Sequence, residues 1–191
     1  MSVVATVTVP GGPGSLAYDS GKGEVFAADS GYGANSVTVI SDVTNSVVAN
    51  VSVGNDPVQV AYDSAKGEVF VSNYGSNTVS VISDGTNAVV ATVAVGGGPD
   101  GLAYDSAKGE VFVSNHASNT VSVISDSTND VVANITIASS GTGGSGPAGI
   151  AYDPTNSELY VADSDSCLGY CPISSNTVSI ISDSNNKVIA N

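Results

Sequence analysis

The sequence predicts an all-β protein. Three observations predict it: a unit repeated four times, short Val- and Ile-rich runs bounded by Gly, Asn, Asp and Ser, and no segment with helical spacing and caps. The repeats read LAYDSGKGEVFAADSG, VAYDSAKGEVFVSNYG, LAYDSAKGEVFVSNHA and IAYDPTNSELYVADSD. Each leads into SVTVISD, NTVSVISD, NTVSVISD or NTVSIISD. Their tyrosines, Tyr18, Tyr62, Tyr104 and Tyr152, lie 44, 42 and 48 residues apart. A period in the forties that holds only strand-length runs marks a propeller blade of four strands. The expected architecture is therefore a β-propeller of four-stranded antiparallel blades, about four in this chain, with no significant helix.

The second repeat shows how each element is justified. Strand A is expected at about Val58 to Asp63 and strand B at about Glu68 to Asn73. Strand C follows at about Thr78 to Ser83, and strand D at about Ala88 to Val95. In the A–B link DSAKGE, Gly67 supplies the positive φ of a hairpin bulge. In the C–D link SDGTN, Asp84 is expected to close the turn through its side chain. Strands B and C are apolar at consecutive positions (Val69, Phe70, Val71; Val79, Val81, Ile82), as strands covered on both faces should be. The repeats fall at about 10–53, 54–95, 96–137 and 138–191 within a single propeller or propeller segment. Residues 2–9 read as an outer strand D, because SVVATVTV aligns with SVVANVSV at Ser46–Val53.

Composition excludes several function classes. The 191 residues carry 18 acids against 4 Lys and Arg, a formal charge of −14. Four basic side chains neutralise few phosphates, so nucleic acid is a poor partner. No apolar run approaches the roughly 18 residues of a membrane span. With 41% hydrophobic residues the chain is not of the disordered type. Twelve of the 18 acids stand at one end of the repeats: Asp19, Asp63, Asp105, Asp153, Glu24, Glu68, Glu110, Glu158, Asp42, Asp84, Asp126 and Asp183. Lys22, Lys66 and Lys108 partly offset them. Turn-forming carboxylates repeated by duplication account for this end.

The repeats resemble the YVTN family of β-propeller repeats, seen in archaeal and bacterial surface-layer and secreted proteins. The naming tetrapeptide stands here as FAAD (Phe26–Asp29), FVSN (Phe70–Asn73), FVSN (Phe112–Asn115) and YVAD (Tyr160–Asp163). The resemblance covers nearly the whole chain. It implies the fold strongly and function weakly, because propellers host many activities. It also implies a cell-surface or extracellular setting.

Every length change lies in the D–A or B–C links. The D–A link before Tyr152 gains six residues around Ser139–Gly146. The B–C link of repeat 4 gains nine and contains Cys167 and Cys171, and that of repeat 1 gains two. In an antiparallel blade these links share one face, and loops that vary on a constant scaffold are the usual binding elements. The candidate binding face comprises Tyr32, Asp56, Tyr74, Asp100, His116 and Tyr170, for a protein or glycan partner or for another copy of the chain.

Further candidates follow from residue type. His116, the single histidine, is the candidate general base of a lyase or lactonase, with Asn115 and Asn73 near it. Asp163 and Asp165 are candidate ligands for calcium, and the sequence holds no multi-His or multi-Cys metal site. No other cofactor is expected. Cys167 and Cys171 in CLGYC read as a small disulfide outside the cell or as free thiols inside it. Asn50 (NVS) and Asn134 (NIT) are glycosylation sequons at the same position of strand D. The expected role is a non-enzymatic structural or binding module. The alternatives are a self-assembling filament subunit that exchanges strands between its ends, and an enzyme using His116. A segment of a longer propeller and a two-copy ring are the other arrangements the mismatched end strands suggest.

Overall fold

Sixteen strands form four separate antiparallel sheets of four, each in simple sequential order. The computed structural model describes residues 2–137, 145–165 and 177–190. Sheet 1 holds β1 (Pro13–Asp19), β2 (Glu24–Asp29), β3 (Ser36–Ser41) and β4 (Ser46–Ser52). Sheet 2 holds β5 (Pro57–Asp63), β6 (Glu68–Asn73), β7 (Thr78–Ser83) and β8 (Ala88–Ala94). Sheet 3 holds β9 (Pro99–Asp105), β10 (Glu110–Asn115), β11 (Thr120–Ser125) and β12 (Asp130–Thr136). Sheet 4 holds β13 (Ser145–Asp153), β14 (Glu158–Asp165), β15 (Thr177–Ser182) and β16 (Lys187–Ala190). No helix occurs among the described residues, so none is long and apolar enough to cross a membrane.

The turns follow from residue chemistry. Gly23, Gly67 and Gly109 close the A–B hairpins at φ 66–68°, a conformation that costs glycine nothing. The aspartate ending strand A caps the same turn. Asp63 Oδ1 accepts the Ala65 amide at 2.8 Å, and Asp105 Oδ1 accepts that of Ala107 at 2.8 Å. The C–D turns differ from expectation. Asp84 does not close its turn. The Asn87 amide donates to the Ser83 carbonyl at 2.9 Å, with Asn87 itself at φ 50°. Asn45 and Asn129 do the same in their repeats. Asparagine tolerates the left-handed region, which frees the aspartate for longer-range work.

Residues 2–9 adopt no strand. A strand exists only through a ladder partner, and none of the described sheets pairs with this segment. Val3 and Val4 are almost fully exposed, and the outer edge of β15 is taken by β16.

The chain divides into two compact units, Met1–Thr92 and Val93–Asn191. In the first, Phe26, Val37 and Val39 pack with Val60, Val71 and Ile82. In the second, Phe112, Val121 and Val123 pack with Leu159, Val161 and Ile181. Both cores draw on the central B and C strands, and every hydrophobic residue of β6 and β10 is buried. Each such side chain contributes roughly 1.5–3 kcal/mol on leaving water.

Candidate functional site

The D–A and B–C links lie side by side within each unit, joined by main-chain bonds. The Tyr74 and Gly75 amides donate to the Asp56 and Asn55 carbonyls at 2.9 and 3.0 Å. The His116 and Ala117 amides donate to Gly98 and Gly97, both at 2.9 Å. Beneath them, the last residue of each FVSN-type tetrapeptide is buried and ties strand B to strand C. Asn73 Nδ2 donates to Thr78 and Ser80 at 3.2 and 3.0 Å, and Asn115 Nδ2 to Thr120 and Ser122 at 3.1 and 2.9 Å. Asp29 and Asp163 use the same geometry in reverse. Asp29 accepts Ser36 and Thr38 at 2.6 and 3.0 Å; Asp163 accepts Thr177 and Ser179 at 3.0 and 2.9 Å.

These ties decide several candidates. Asn115 Nδ2 is committed to strand C, while its Oδ1 is buried without a hydrogen-bond partner. Asp163 Oδ2 is likewise committed, while its Oδ1 is buried without a hydrogen-bond partner. The side chain of Asp165 lies outside the described residues, as do Tyr170, Cys167 and Cys171. Among the described residues, no group of three or more His, Cys, Asp or Glu is placed to hold a metal ion.

Asp100 and His116 come together in the second unit. Asp100 is half-buried, and burial pushes its carboxyl above the usual carboxylate range against the opposing pull of the His116 charge. His116 is half-buried, with Nε2 enclosed and lacking a hydrogen-bond partner.

In the first unit, Tyr32 stands fully exposed between two open depressions. One, of 440 Å³, is walled by Pro10, Gly11, Gly12, Gly31 and Gly33 with Asn35 and Ser36. The other, of 310 Å³, is lined by Tyr32, Gly33, Asn55 and Asp56. Asp56 holds φ 51°. The same position is Gly98 in the next repeat, at φ 61°, and Gly12 and Gly146 in the others. A left-handed non-glycine residue carries a backbone cost of roughly 1–2 kcal/mol, less for Asp and Asn. Opposite it, a Cβ on Gly75 would stand 2.5 Å from Asp56 Oδ2; opposite Gly98 the chain has Ala117. The repeat-to-repeat comparison at this one position was the available signal for Asp56.

The sequon residues are exposed on outer strands. Asn50 Oδ1 accepts Thr38 at 3.0 Å, and Asn134 Oδ1 accepts Ser122 at 2.8 Å.

The opposite end is a structural clamp that sequence reasoning missed. In the first unit Tyr62 donates to Asp84 at 3.3 Å and also meets Asp19, and Lys22 Nζ donates to the Asp84 carbonyl. In the second, Lys108 pairs with Asp183 at 2.8 Å, and Tyr152 meets Asp105. Burial and then the Asp19 carboxylate push the Tyr62 hydroxyl well above the usual phenol range. The stability this gives is fully present below the ordinary phenol value near 10 and is lost as pH rises through the higher folded value. The melting temperature should therefore fall between pH 9 and about pH 12, and Tyr62→Phe, less stable at pH 8, should show a flatter alkaline limb. A variant as steep as the wild type would remove Tyr62 as a source of that limb.

Solved structures supply the comparison. Hydrazine synthase from Kuenenia stuttgartiensis superposes with a TM-score of 0.81 at 21% identity, covering 100% of this chain and 51% of that one. A functionally unknown protein from Desulfotomaculum acetoxidans gives 0.70 at 13% identity, covering 92% and 54%. The chain has a β-propeller fold. It spans about half the length of either neighbour. No protein-family model and no curated protein sequence matches it.

Proposed function

We propose that this propeller is a non-enzymatic binding module of a cell-surface or secreted protein, of the YVTN-like kind, and that it holds a protein or glycan through its D–A and B–C links. The observation that carries the reading is Tyr32, fully exposed between two depressions on the face where every link-length change falls. Large exposed aromatics beside concave, polar-edged surface are typical of recognition sites. At the other end Asp19, Asp63, Asp105 and Asp183 are committed to turns and a clamp. The exposed sequon residues Asn50 and Asn134 favour the extracellular setting.

The test is a screen of immobilised glycans and displayed peptides against three proteins: wild type, Tyr32→Ser/Tyr74→Ser, and a Val43→Ser control in the β3–β4 turn at the opposite end. Hits lost in the double variant and kept in the control are expected. Hits that survive loss of both tyrosines, or a screen with none, overturn the reading.

A second reading, an enzyme of the lyase or lactonase type, is favoured by the Asp100–His116 pair. Activity on a substrate panel that vanishes in His116→Ala would support it. A wild type with no turnover would dismiss it.

A further inference from the structure

We propose that the depression between Tyr32 and Asp56 receives an arginine side chain from an extended basic segment of a partner protein. This rests on the D–A and B–C links forming the binding face. Four observations point to a cationic, planar group. Asp56 is exposed and makes no ion pair among the described residues, so its charge is available. No Lys or Arg lines either depression. The neighbouring Tyr32 ring is fully exposed, and a guanidinium stacks on such a face while its fork of N–H donors meets a carboxylate. The depression measures 310 Å³, at the small end of ligand sites, which suits one inserted side chain rather than a folded ligand.

The backbone adds a fifth argument. Asp56 holds a left-handed conformation that glycine occupies at the matching position of the third repeat. Its carbonyl accepts the Tyr74 amide at 2.9 Å and its amide donates to the Ala34 carbonyl at 3.0 Å, so the backbone that carries the carboxylate is held at the rim. Gly75 leaves room for it. The chain's net charge of −14 draws a basic segment in from a distance and leaves Tyr32 and Asp56 to fix where it docks.

The experiment is an NMR titration of the full chain, ¹⁵N-labelled, with the peptide acetyl-GRGRGRG-amide, and with its Gln counterpart as the neutral control. Shifts concentrated at the Gly33, Asn55 and Asp56 amides are expected from the Arg peptide and absent with Gln. Asp56→Asn keeps a residue that tolerates the left-handed backbone and should weaken binding about tenfold, as loss of one bidentate charged pair. Asp130→Asn removes the same charge from the exposed start of β12 and should change it less than about twofold. Tyr32→Ala should weaken binding without unfolding the protein, as its unchanged spectrum elsewhere would show. Equal losses in Asp56→Asn and Asp130→Asn, or shifts scattered over the acidic end, would mean diffuse attraction and overturn the proposal. So would a saccharide giving the same shifts independently of Asp56. If the Arg peptide fails while the screened hits still depend on Tyr32 and Tyr74, arginine alone is overturned. If those hits survive the tyrosine substitutions, the binding face itself falls.

Discussion

Replacing Phe112 with alanine is expected to cost about 3–5 kcal/mol, enough to remove a large part of the stability of a single domain. Phe112 is 0% exposed and sits in the middle of β10, between Ala103 of β9 and Val123 of β11. It packs with Leu159, Val161 and Ile181 of the neighbouring sheet in the same unit. Removing the ring leaves a cavity that strands bonded on both sides cannot collapse into, so the lost transfer energy and the cavity cost add. Phe26 and Phe70 occupy the same position in their repeats and are equally buried. Tyr160 takes it in the fourth, where its hydroxyl reaches Glu158 at 2.9 Å. Phe112→Leu, which keeps most of the volume, should lose less than half as much. Urea titrations followed by circular dichroism check both. A midpoint for Phe112→Ala within error of the wild type would show that the ring does not hold the second core together.

The strands were legible because a four-fold repeat shows each element four times. β6 and β7 begin and end where the hydrophobic runs and flanking turn residues place them, and β8 stops one residue earlier, at Ala94. Gly67 lies in the left-handed region that its turn demands. What sequence reasoning missed concerns partners rather than local preference. Asp84 sits in a turn composition that suits a local cap, yet its carboxylate accepts Tyr62, from strand A of the same sheet. Residues 2–9 have the composition of a strand, but pairing decides strand formation and composition does not name the pair. At the candidate site, Tyr32 and Asp56 share a depression because two links of adjacent repeats run together. Link composition locates the face without saying which side chains meet across it. Asn115 shows the converse. As a polar residue beside the single histidine it read as catalytic company, and burial turned it into a tie between strands.

Lys108→Met should lower stability by about 1–3 kcal/mol at pH 7, less than the loss from breaking a fully buried ion pair. The reason for the discount is exposure: the Lys108 side chain is 37% exposed, whereas Asp183 is 4% exposed. Methionine keeps the apolar stem that covers this end and removes only the charge. Burial works against the Lys108 ammonium, but Asp183, Glu110 and Asp105 outweigh it and hold its pKa above the usual lysine range. Burial raises Glu110 as well, Lys108 opposes that rise, and Asp183 and Asp105 add to it. The sign of the pH dependence follows. A lysine with a raised folded pKa contributes stability that is fully present below its unfolded value and lost as pH rises through the folded one. A glutamate with a raised folded pKa favours the folded state at acid pH and loses that advantage as pH rises through its folded value. Without Lys108, Glu110 moves further up and three carboxylates face one another uncompensated. The deficit of the variant should therefore be largest from neutral pH up to the titration of the lysine. It should shrink toward pH 3, where Glu110, its pKa raised, is protonated. Unfolding midpoints of both proteins at pH 7 and pH 3 decide it. An equal deficit at the two values would assign the loss to packing of the stem and remove charge compensation from the account of this end.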